Sequence, residues 1–247
     1  GTFDGLGNSI KDYAFQYSGT ASSGMFAGLF PALGGGALVQ NLGITNATFH
    51  TTNSSTGKYY IGALAGLISG NATITNVWSS GLISTAAGGT ISDYSAGGLI
   101  GIVTSGTVGI SKSYSSVSIY ENTNSTAATQ IGGLVGGTVK LSSGTDPSAS
   151  TWTFCASGCP ATITIDQVYT TGNIYNALAT SGWYGQSSFI GVSYTQTTIT
   201  NSFSLGSITT GSGRTSTSGF GGASSGTTIS NSYTSYSSSG GNTTTNV

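Results

Sequence analysis

The acidic side chains are the first candidates for chemistry, because enzymes that cleave carbohydrates place a pair of carboxylates on one face of the fold. The chain has six of them: Asp4, Asp12, Asp93, Glu121, Asp146 and Asp166. No two stand at matching positions in neighbouring copies of the internal repeat described below, which favours turn or surface carboxylates. A glycan-active enzyme with a cleft beside the cysteine-bearing loop stays a minor alternative, to be tested at Asp93 or Asp166.

The single histidine, His50, lies in the polar segment TFHTTNSST. A Ser–His–Asp triad would need this residue, but serine is so frequent in the chain that no particular pairing stands out. The glycine-rich segments lack the Gly-Lys-Ser/Thr ending and the following helix of a phosphate-binding loop. We therefore expect no catalytic residue, no cofactor and no metal site.

Two cysteines, Cys155 and Cys159, stand close together in CASGC. In an oxidising compartment this spacing predicts a small local disulfide, and two free thiols are the alternative. No histidine lies nearby to complete a zinc site, and a lone C-x3-C is weak evidence for a metal.

Asn-x-Ser/Thr sequons mark five candidate glycosylation sites in a secreted chain. They are Asn46, Asn53, Asn71, Asn124 and Asn242. A sequence this rich in Ser and Thr produces such triplets by chance, so the sequons alone do not establish glycosylation.

Charge is nearly absent, since only 4% of the 247 residues are charged, with 5 Lys+Arg and 6 Asp+Glu. Without basic clusters the chain cannot neutralise phosphates, which argues against nucleic-acid binding. No run approaches the length of an apolar membrane span. Aromatic residues at 10% and plentiful Ile, Val and Thr favour an all-β protein wetted by hydroxyl groups.

An internal repeat of about 30 to 36 residues organises the chain. It is anchored by Ile74, Ile110, Ile165, Ile199 and Ile229, with Val39 and Ile10 as weaker upstream members. Four residues after the anchor stands an aromatic, in the series Trp78, Tyr114, Tyr169, Phe203 and Tyr233. Because stacked coils put like residues above like, we expect the isoleucines and the aromatics to form two interior ladders.

A polar residue stands two positions after each anchor, in the series Asp12, Asn41, Asn76, Lys112, Gln167, Asn201 and Asn231. Asparagine at a turn adopts the left-handed conformation and bonds to its neighbour along a stack. The series predicts either an amide ladder, interrupted at Lys112, or ordinary turn residues.

Each anchor except Ile10 follows a glycine-rich apolar tetrapeptide. These are MFAG (Met25–Gly28), ALAG (Ala63–Gly66), GLIG (Gly98–Gly101), GLVG (Gly133–Gly136), SFIG (Ser188–Gly191) and GFGG (Gly219–Gly222). Together with the opening GTFDGLGNSIKDYAF, they resemble the GLUG-motif repeat of bacterial surface proteins, including filamentous-haemagglutinin-like and IgA-protease-type proteins. The resemblance implies a β-solenoid in secreted or surface-exposed proteins and implies no catalytic activity.

We therefore expect an all-β fold, a β-solenoid of about six to seven coils with one extruded, disulfide-pinned loop. Residues 1–238 would form a single domain, with 1–20 as an N-terminal cap, 140–161 as the inserted loop and 239–247 as a polar tail or linker. The start at Gly1, without a leader segment, predicts a mature form after cleavage or a piece of a longer protein.

The leading functional hypothesis is a non-catalytic, extracellular or cell-surface structural module: a stalk, an adhesin segment or a filament subunit. Its partners would be other copies or other surface proteins, reached through the solenoid ends, and glycans are further candidates. The alternative is binding of ice or polysaccharide by a flat Ser/Thr-rich face that includes TTIT (Thr197–Thr200) and TTIS (Thr227–Ser230). Against it, the outward positions vary between coils.

Overall fold

A computed structural model describes residues 1–18, 24–52, 58–86, 90–122, 124–138, 140–141, 152–153, 161–176, 183–193, 195–210, 217–221 and 226–235. These residues form strands and turns, with no helix among them, and therefore none that could span a membrane. The strands are β1 (Thr2–Lys11), β2 (Ala14–Tyr17), β3 (Met25–Ala27), β4 (Phe30–Gly34), β5 (Ala37–Thr51), β6 (Lys58–Gly62), β7 (Ala65–Ser69), β8 (Ala72–Thr85), β9 (Thr90–Gly97), β10 (Ile100–Ser111), β11 (Tyr114–Glu121), β12 (Asn124–Gly132), β13 (Val135–Thr138), β14 (Lys140–Leu141), β15 (Trp152–Thr153), β16 (Ala161–Asp166), β17 (Tyr169–Thr170), β18 (Ile174–Asn176), β19 (Trp183–Ser187), β20 (Ile190–Val192), β21 (Gln196–Thr200), β22 (Phe203–Ser204), β23 (Ile208–Thr210), β24 (Thr217–Ser218), β25 (Thr227–Ser230) and β26 (Tyr233–Thr234).

The strands assemble into an 18-stranded sheet, a 6-stranded sheet and the small antiparallel pair β14–β15. The pairings that build the two large sheets are parallel and join segments about one repeat apart. In each repeat the chain passes from the long sheet to the 6-stranded sheet, turns sharply and returns to the long sheet. The predicted all-β, parallel β-solenoid is confirmed.

The isoleucine anchors lie in register in one interior column. Val39, Ile74, Ile110, Ile165, Ile199 and Ile229 pair in succession, and all but the last are fully buried. Burial of each side chain is worth about 1.5–3 kcal/mol, and a single coil could not provide it alone. The predicted interior ladder of anchors is confirmed from Val39 onward.

The first coil departs from the predicted register. Phe3, and not Ile10, pairs with Val39, whereas Ile10 pairs with Ile44. Phe3 thus occupies the anchor position of this coil, and β1 bulges farther along, between Asp4 and Asn8, where Leu6 adopts a positive φ of 55°. Ile10 follows this bulge and lies in the next strand segment, so the assignment of Ile10 as an anchor is wrong.

The aromatic series is also in register, but it lies on the outer face, so the prediction of a second interior ladder is wrong. Phe203 is 38% exposed and Tyr233 is 50% exposed. The reason is the corner two residues after the anchor, where Asn76 and its equivalents adopt a positive φ. This corner shifts the in–out alternation by one residue, so Val77 points inward and Trp78 points outward.

Glycine pairs shape the sharp turn between the two sheets. The recurring pattern is Gly-x-x-x-Gly, with Gly62 and Gly66, then Gly97 and Gly101, then Gly132 and Gly136. A Cβ built on Gly101 would lie 2.5 Å from the Gly66 carbonyl oxygen and 2.6 Å from the Ile61 nitrogen. Backbones of neighbouring coils touch here, and only glycine fits.

The register changes the interpretation of the first glycine tetrapeptide. Ala27 pairs with Ile61, so Gly28 of MFAG corresponds to Gly62 and not to Gly66 as the alignment of motifs suggested. Pro31, between Phe30 and Ala32, occupies the position opposite Gly66. The first turn therefore lacks the second glycine of the pattern.

The interior becomes more polar toward the C-terminal coils. The column that begins with Ala72, Val108 and Ile163 continues with Thr197 and Thr227. In the 6-stranded sheet, Gln186 follows Ile61, Ala96 and Ile131 in the same inward column. Hydroxyl and amide groups thus replace hydrocarbon in the last coils.

Replacement of Gly101 by alanine tests the close backbone contact. We expect Gly101→Ala to lower the free energy of unfolding by about 1–3 kcal/mol, because the new methyl group overlaps backbone atoms that cannot move aside. Gly109→Ala is the matched control on the same strand, since no atom lies within 4 Å of its added Cβ. Its effect should stay within about 0.5 kcal/mol. Denaturant unfolding measures both, and equal midpoints would contradict the assignment.

Candidate functional surfaces

The acidic residues that were candidates for chemistry lie in different parts of the fold. Three of the six accept hydrogen bonds in columns of polar side chains on the surface. Asp4 accepts hydrogen bonds from Gln40 Nε2 at 2.7 Å, Asn41 Nδ2 at 3.1 Å and its own turn at Leu6 N at 2.8 Å. These bonds, led by that of Gln40, hold the pKa of Asp4 below its ordinary value. Asp146 lies outside the described residues.

Asp166 has a similar role near the middle of the stack. It accepts hydrogen bonds from Thr200 Oγ1 and Asn201 Nδ2, both at 2.7 Å. The bond from Thr200, followed by that from Asn201, lowers the pKa of the Asp166 carboxyl. Both carboxylates are occupied by structural donors, and neither faces a second carboxylate among the described contacts.

The corner asparagines form an amide ladder in two runs. Asn76 Nδ2 donates to Asn41 Oδ1 at 2.9 Å, and Asn231 Nδ2 donates to Asn201 Oδ1. Lys112 and Gln167 stand between the runs at the same positive-φ corner. The predicted ladder, interrupted at Lys112, is confirmed for these two runs.

A polar cluster that the sequence did not reveal lies on the 6-stranded sheet. Tyr60, which is fully buried, donates a hydrogen bond to Asp93 Oδ2 at 3.1 Å. Lys58 pairs in register with Asp93 and its charge favours the carboxylate. Burial is the larger influence and raises the pKa of Asp93 to about 6. Burial likewise raises the pKa of Tyr60.

A second cluster lies in the interior, at the end of β11. Glu121 is fully buried and is in register with Asn176, which is also fully buried. Burial first, and the charge of Glu121 second, raise the pKa of the Tyr94 hydroxyl. Among the described residues, the Tyr94 hydroxyl and both polar atoms of the Asn176 amide have no hydrogen-bond partner. Such groups are normally solvated by buried water.

His50 meets a serine from the next coil. Its Nδ1 lies 2.8 Å from Ser84 Oγ, on the outer face. Serine is so frequent in the chain that the sequence alone does not indicate Ser84 as the partner. A triad also requires a carboxylate on the second ring nitrogen, and the described contacts of His50 include none. The geometry is that of one cross-strand hydrogen bond.

Two columns of hydroxyl side chains run along the outer face of the long sheet. The first contains Thr73, Thr164, Thr198 and Thr228, with Gly109 as its one gap, and these threonines are exposed. The second contains Thr75, Ser111, Asp166, Thr200 and Ser230. Hydroxyl groups in the second column bond to one another, as Thr75 does to Ser111 at 3.1 Å.

The outward aromatic side chains form a stack beside the corner. Ring centroids of Tyr114 and Tyr169 lie 4.7 Å apart, and those of Tyr169 and Phe203 lie 5.0 Å apart, with nearly parallel planes. Trp78 starts the stack where Gly43 leaves room for its indole ring. Because the faces cover one another, mainly the ring edges reach solvent.

Each end of the stack presents a strand with an open side. β1 and β2 pair with β5, and no described strand pairs with their other edge. β25 and β26 pair with β21 and β22 and with no further described strand. An unpaired strand edge is a template for another chain. Whether residues 1–20 act as a cap stays a prediction.

The predicted disulfide and most sequons lie where the structure gives no side-chain description. Cys155, Cys159, Asn53 and Asn242 are outside the described residues, as is the side chain of Asn124 at the start of β12.

The two remaining sequon residues are engaged on the surface. Asn46 Nδ2 donates to Asp12 Oδ1 at 2.6 Å, and Asn71 Oδ1 accepts from Thr107 N at 2.9 Å. A glycan on Asn46 would replace a hydrogen on a bonded nitrogen, whereas the bonded atom of Asn71 is its oxygen.

No group of three or more His, Cys, Asp or Glu side chains that could hold a metal occurs among the described residues. Scans of the chain against protein-family models, curated proteins and solved structures each return no match.

The Asp93 carboxyl should make stability depend on pH. Its pKa is raised in the folded state, so its contribution to stability is complete below about pH 4 and is lost as the pH rises through 6. We expect the free energy of unfolding to fall by about 2–3 kcal/mol over this window, and Asp93→Asn to remove that fall. Asp166→Asn, at an exposed carboxyl, is the control that should retain it. Denaturant titrations at several pH values measure the difference, and a flat profile for the wild type would contradict it.

Proposed function

We propose that this chain is a non-catalytic structural or adhesive module of the cell exterior, acting as a stalk, an adhesin segment or a filament subunit. The observation that carries the proposal is the in-register parallel stack with an open strand edge at each end. Such a stack is a rod that can be extended or joined at its ends. The resemblance to GLUG-motif repeats supports the same conclusion.

The polar side chains support a structural role. Most of those that could do chemistry donate to or accept from the next coil, as Asp4, Asp166 and His50 do. Their hydrogen bonds run along the stack instead of converging on a cavity. The groups therefore stabilise the register between coils.

We further propose six to seven coils, with residues 140–161 extruded as a loop. Support comes from the seven successive segments at the anchor column and from β14 pairing with β15 across the base of the insertion. A Cys155–Cys159 disulfide would close the tip of this loop in an oxidising exterior.

Association through the ends is the first test. In negative-stain images of a concentration series taken at neutral and at acidic pH, we expect rods that lengthen by whole subunits under at least one of the two conditions. Leu6→Lys adds a charge to the edge strand, where the side chain is 78% exposed, and should shorten the rods. Leu82→Lys makes the same change on the lateral face, at 40% exposure, and should leave their length unchanged. Single particles at every concentration and at both pH values would contradict self-association of the wild type.

Ice or crystalline polysaccharide binding is the second candidate, favoured by the aligned threonines of the first hydroxyl column. Thr198 lies between Thr164 and Thr228, so Thr198→Tyr would interrupt the flat array. We expect any thermal hysteresis, or any retention on an insoluble polysaccharide, to be lost in this variant. It should persist in Ser116→Tyr, on β11 beside the aromatic stack. This candidate would be contradicted if wild-type thermal hysteresis equalled that of buffer and wild-type retention on the polysaccharide equalled that of an unrelated protein.

A further inference from the structure

The amide ladder has a direction. In each described link the nitrogen of the later coil donates to an oxygen of the earlier coil: Asn41 to Asp4, Asn46 to Asp12, Asn76 to Asn41, Asn201 to Asp166 and Asn231 to Asn201. Each run begins, on its N-terminal side, at an aspartate. A carboxylate accepts hydrogen bonds and has none to donate.

Both ends of the molecule consequently present hydrogen-bond acceptors at the ladder. At the C-terminal end, Asn231 uses its nitrogen toward Asn201, so its oxygen is left to accept from a following coil. At the N-terminal end, Asp4 stands before the corner and also presents only acceptors. An asparagine there would present a donor, and the ladder could continue from one copy into the next.

A second copy stacked on β25 would bring its Asp4 above Ser230 and beside Asn231. The Ser230 hydroxyl can turn toward Asp4, but the oxygen of Asn231 would face a carboxylate and lose its water without gaining a donor. A polar group buried in this way costs more free energy than a made hydrogen bond returns. Protonation of Asp4 supplies an O–H group, and the mismatch disappears.

The β1 bulge does not itself prevent this contact. β5 already pairs across the bulge, with the single corner residue Asn41 opposite the three residues between Asp4 and Asn8. A one-residue corner such as Asn231 is therefore compatible with the same shape on the other side. The two contacts differ in the side of the amide that faces Asp4: Asn41 turns its nitrogen toward Asp4, whereas Asn231 turns its nitrogen toward Asn201 and leaves its oxygen on the open side.

We propose that Asp4 is a proton-controlled terminator, which keeps the N-terminal end from joining the C-terminal end of a second copy until the carboxyl is protonated. The inference rests on the proposed association through solenoid ends. Asp4 is held in its charged form by hydrogen bonds from Gln40, the Leu6 amide and Asn41, so the ends join only in acid, below the ordinary titration range of an aspartate carboxyl.

Few charges compete with Asp4. Its neighbours across β5 are the neutral Gln40 and Asn41, and the Phe3 ring contacts only Phe30 among described rings. On its own segment the other charged side chains are those of Lys11 and Asp12. On the facing end, β25 and β26 carry no charged residue, and Tyr233 is their one titratable side chain. In the stacked pair, Asp4 is thus the acidic group that would meet the end of the other copy's amide ladder.

Asp4→Asn provides the decisive variant, because it replaces the acceptor by a donor and removes one charge. We expect it to associate at pH 7 at a protein concentration about tenfold or more below the highest at which the wild type stays single. The wild type should reach similar association only in acid, below the ordinary titration range of an aspartate carboxyl. Light scattering and negative-stain imaging measure the onset, and circular dichroism at each pH confirms the fold.

Asp12→Asn is the matched control. It removes the same charge from the residue that follows the end of β1. Asp12 heads a separate column whose one amide is Asn46 and which does not lead to Asn231. It should behave like the wild type at pH 7. An equal gain in both variants would show simple charge repulsion and overturn the proposal.

The remaining outcomes separate the two proposals. Wild-type association that is equally strong at pH 7 and pH 3 would overturn the terminator while leaving end-to-end assembly intact. No association by the wild type or Asp4→Asn at any pH would overturn both the terminator and self-association.

Discussion

Registration of like side chains between parallel strands is the constraint on which the molecule depends. Each coil leaves its anchor isoleucine half covered, and the coils above and below complete the burial. The glycine pairs belong to the same constraint, because the chain can reverse within each coil only where backbones touch, as at Gly62 and Gly101. Loss of register would expose apolar groups and separate hydrogen-bonded corners at once, so packing and polar contacts reinforce one another.

Repetition made the column members predictable, whereas their orientation depended on local backbone geometry. The isoleucines and corner asparagines recur at constant spacing, and they do stack. The aromatic series recurs equally well, but one left-handed corner such as Asn76 turns it outward, and spacing carries no information on that change. Ile10 was misplaced because the first coil carries Phe3 instead of an isoleucine at the anchor position, so the search for a like residue found the wrong strand segment. Contacts between unlike residues one coil apart, such as Tyr60 with Asp93, leave no repeating signal at all.

On this surface, hydrogen bonds along the stack provide most of the polar stabilisation that ion pairs provide on other protein surfaces. Hydroxyl and amide groups bond from coil to coil, and Asp4, Asp12 and Asp166 lie where an amide column needs an acceptor. Neutral bonds of this kind are little affected by salt, in contrast to exposed ion pairs. A rod built in this way can remain intact in surroundings of variable ionic strength.

The polar interior of the last coils gives the rod a mechanical polarity. Thr197, Thr227 and Gln186 take inward positions that hydrocarbon fills in earlier coils, so each late coil gains less from burial than an early one. Under tension applied between the termini, the C-terminal coils would peel away first, one at a time. The N-terminal portion would keep its shape, and the molecule would lengthen before its whole fold was lost.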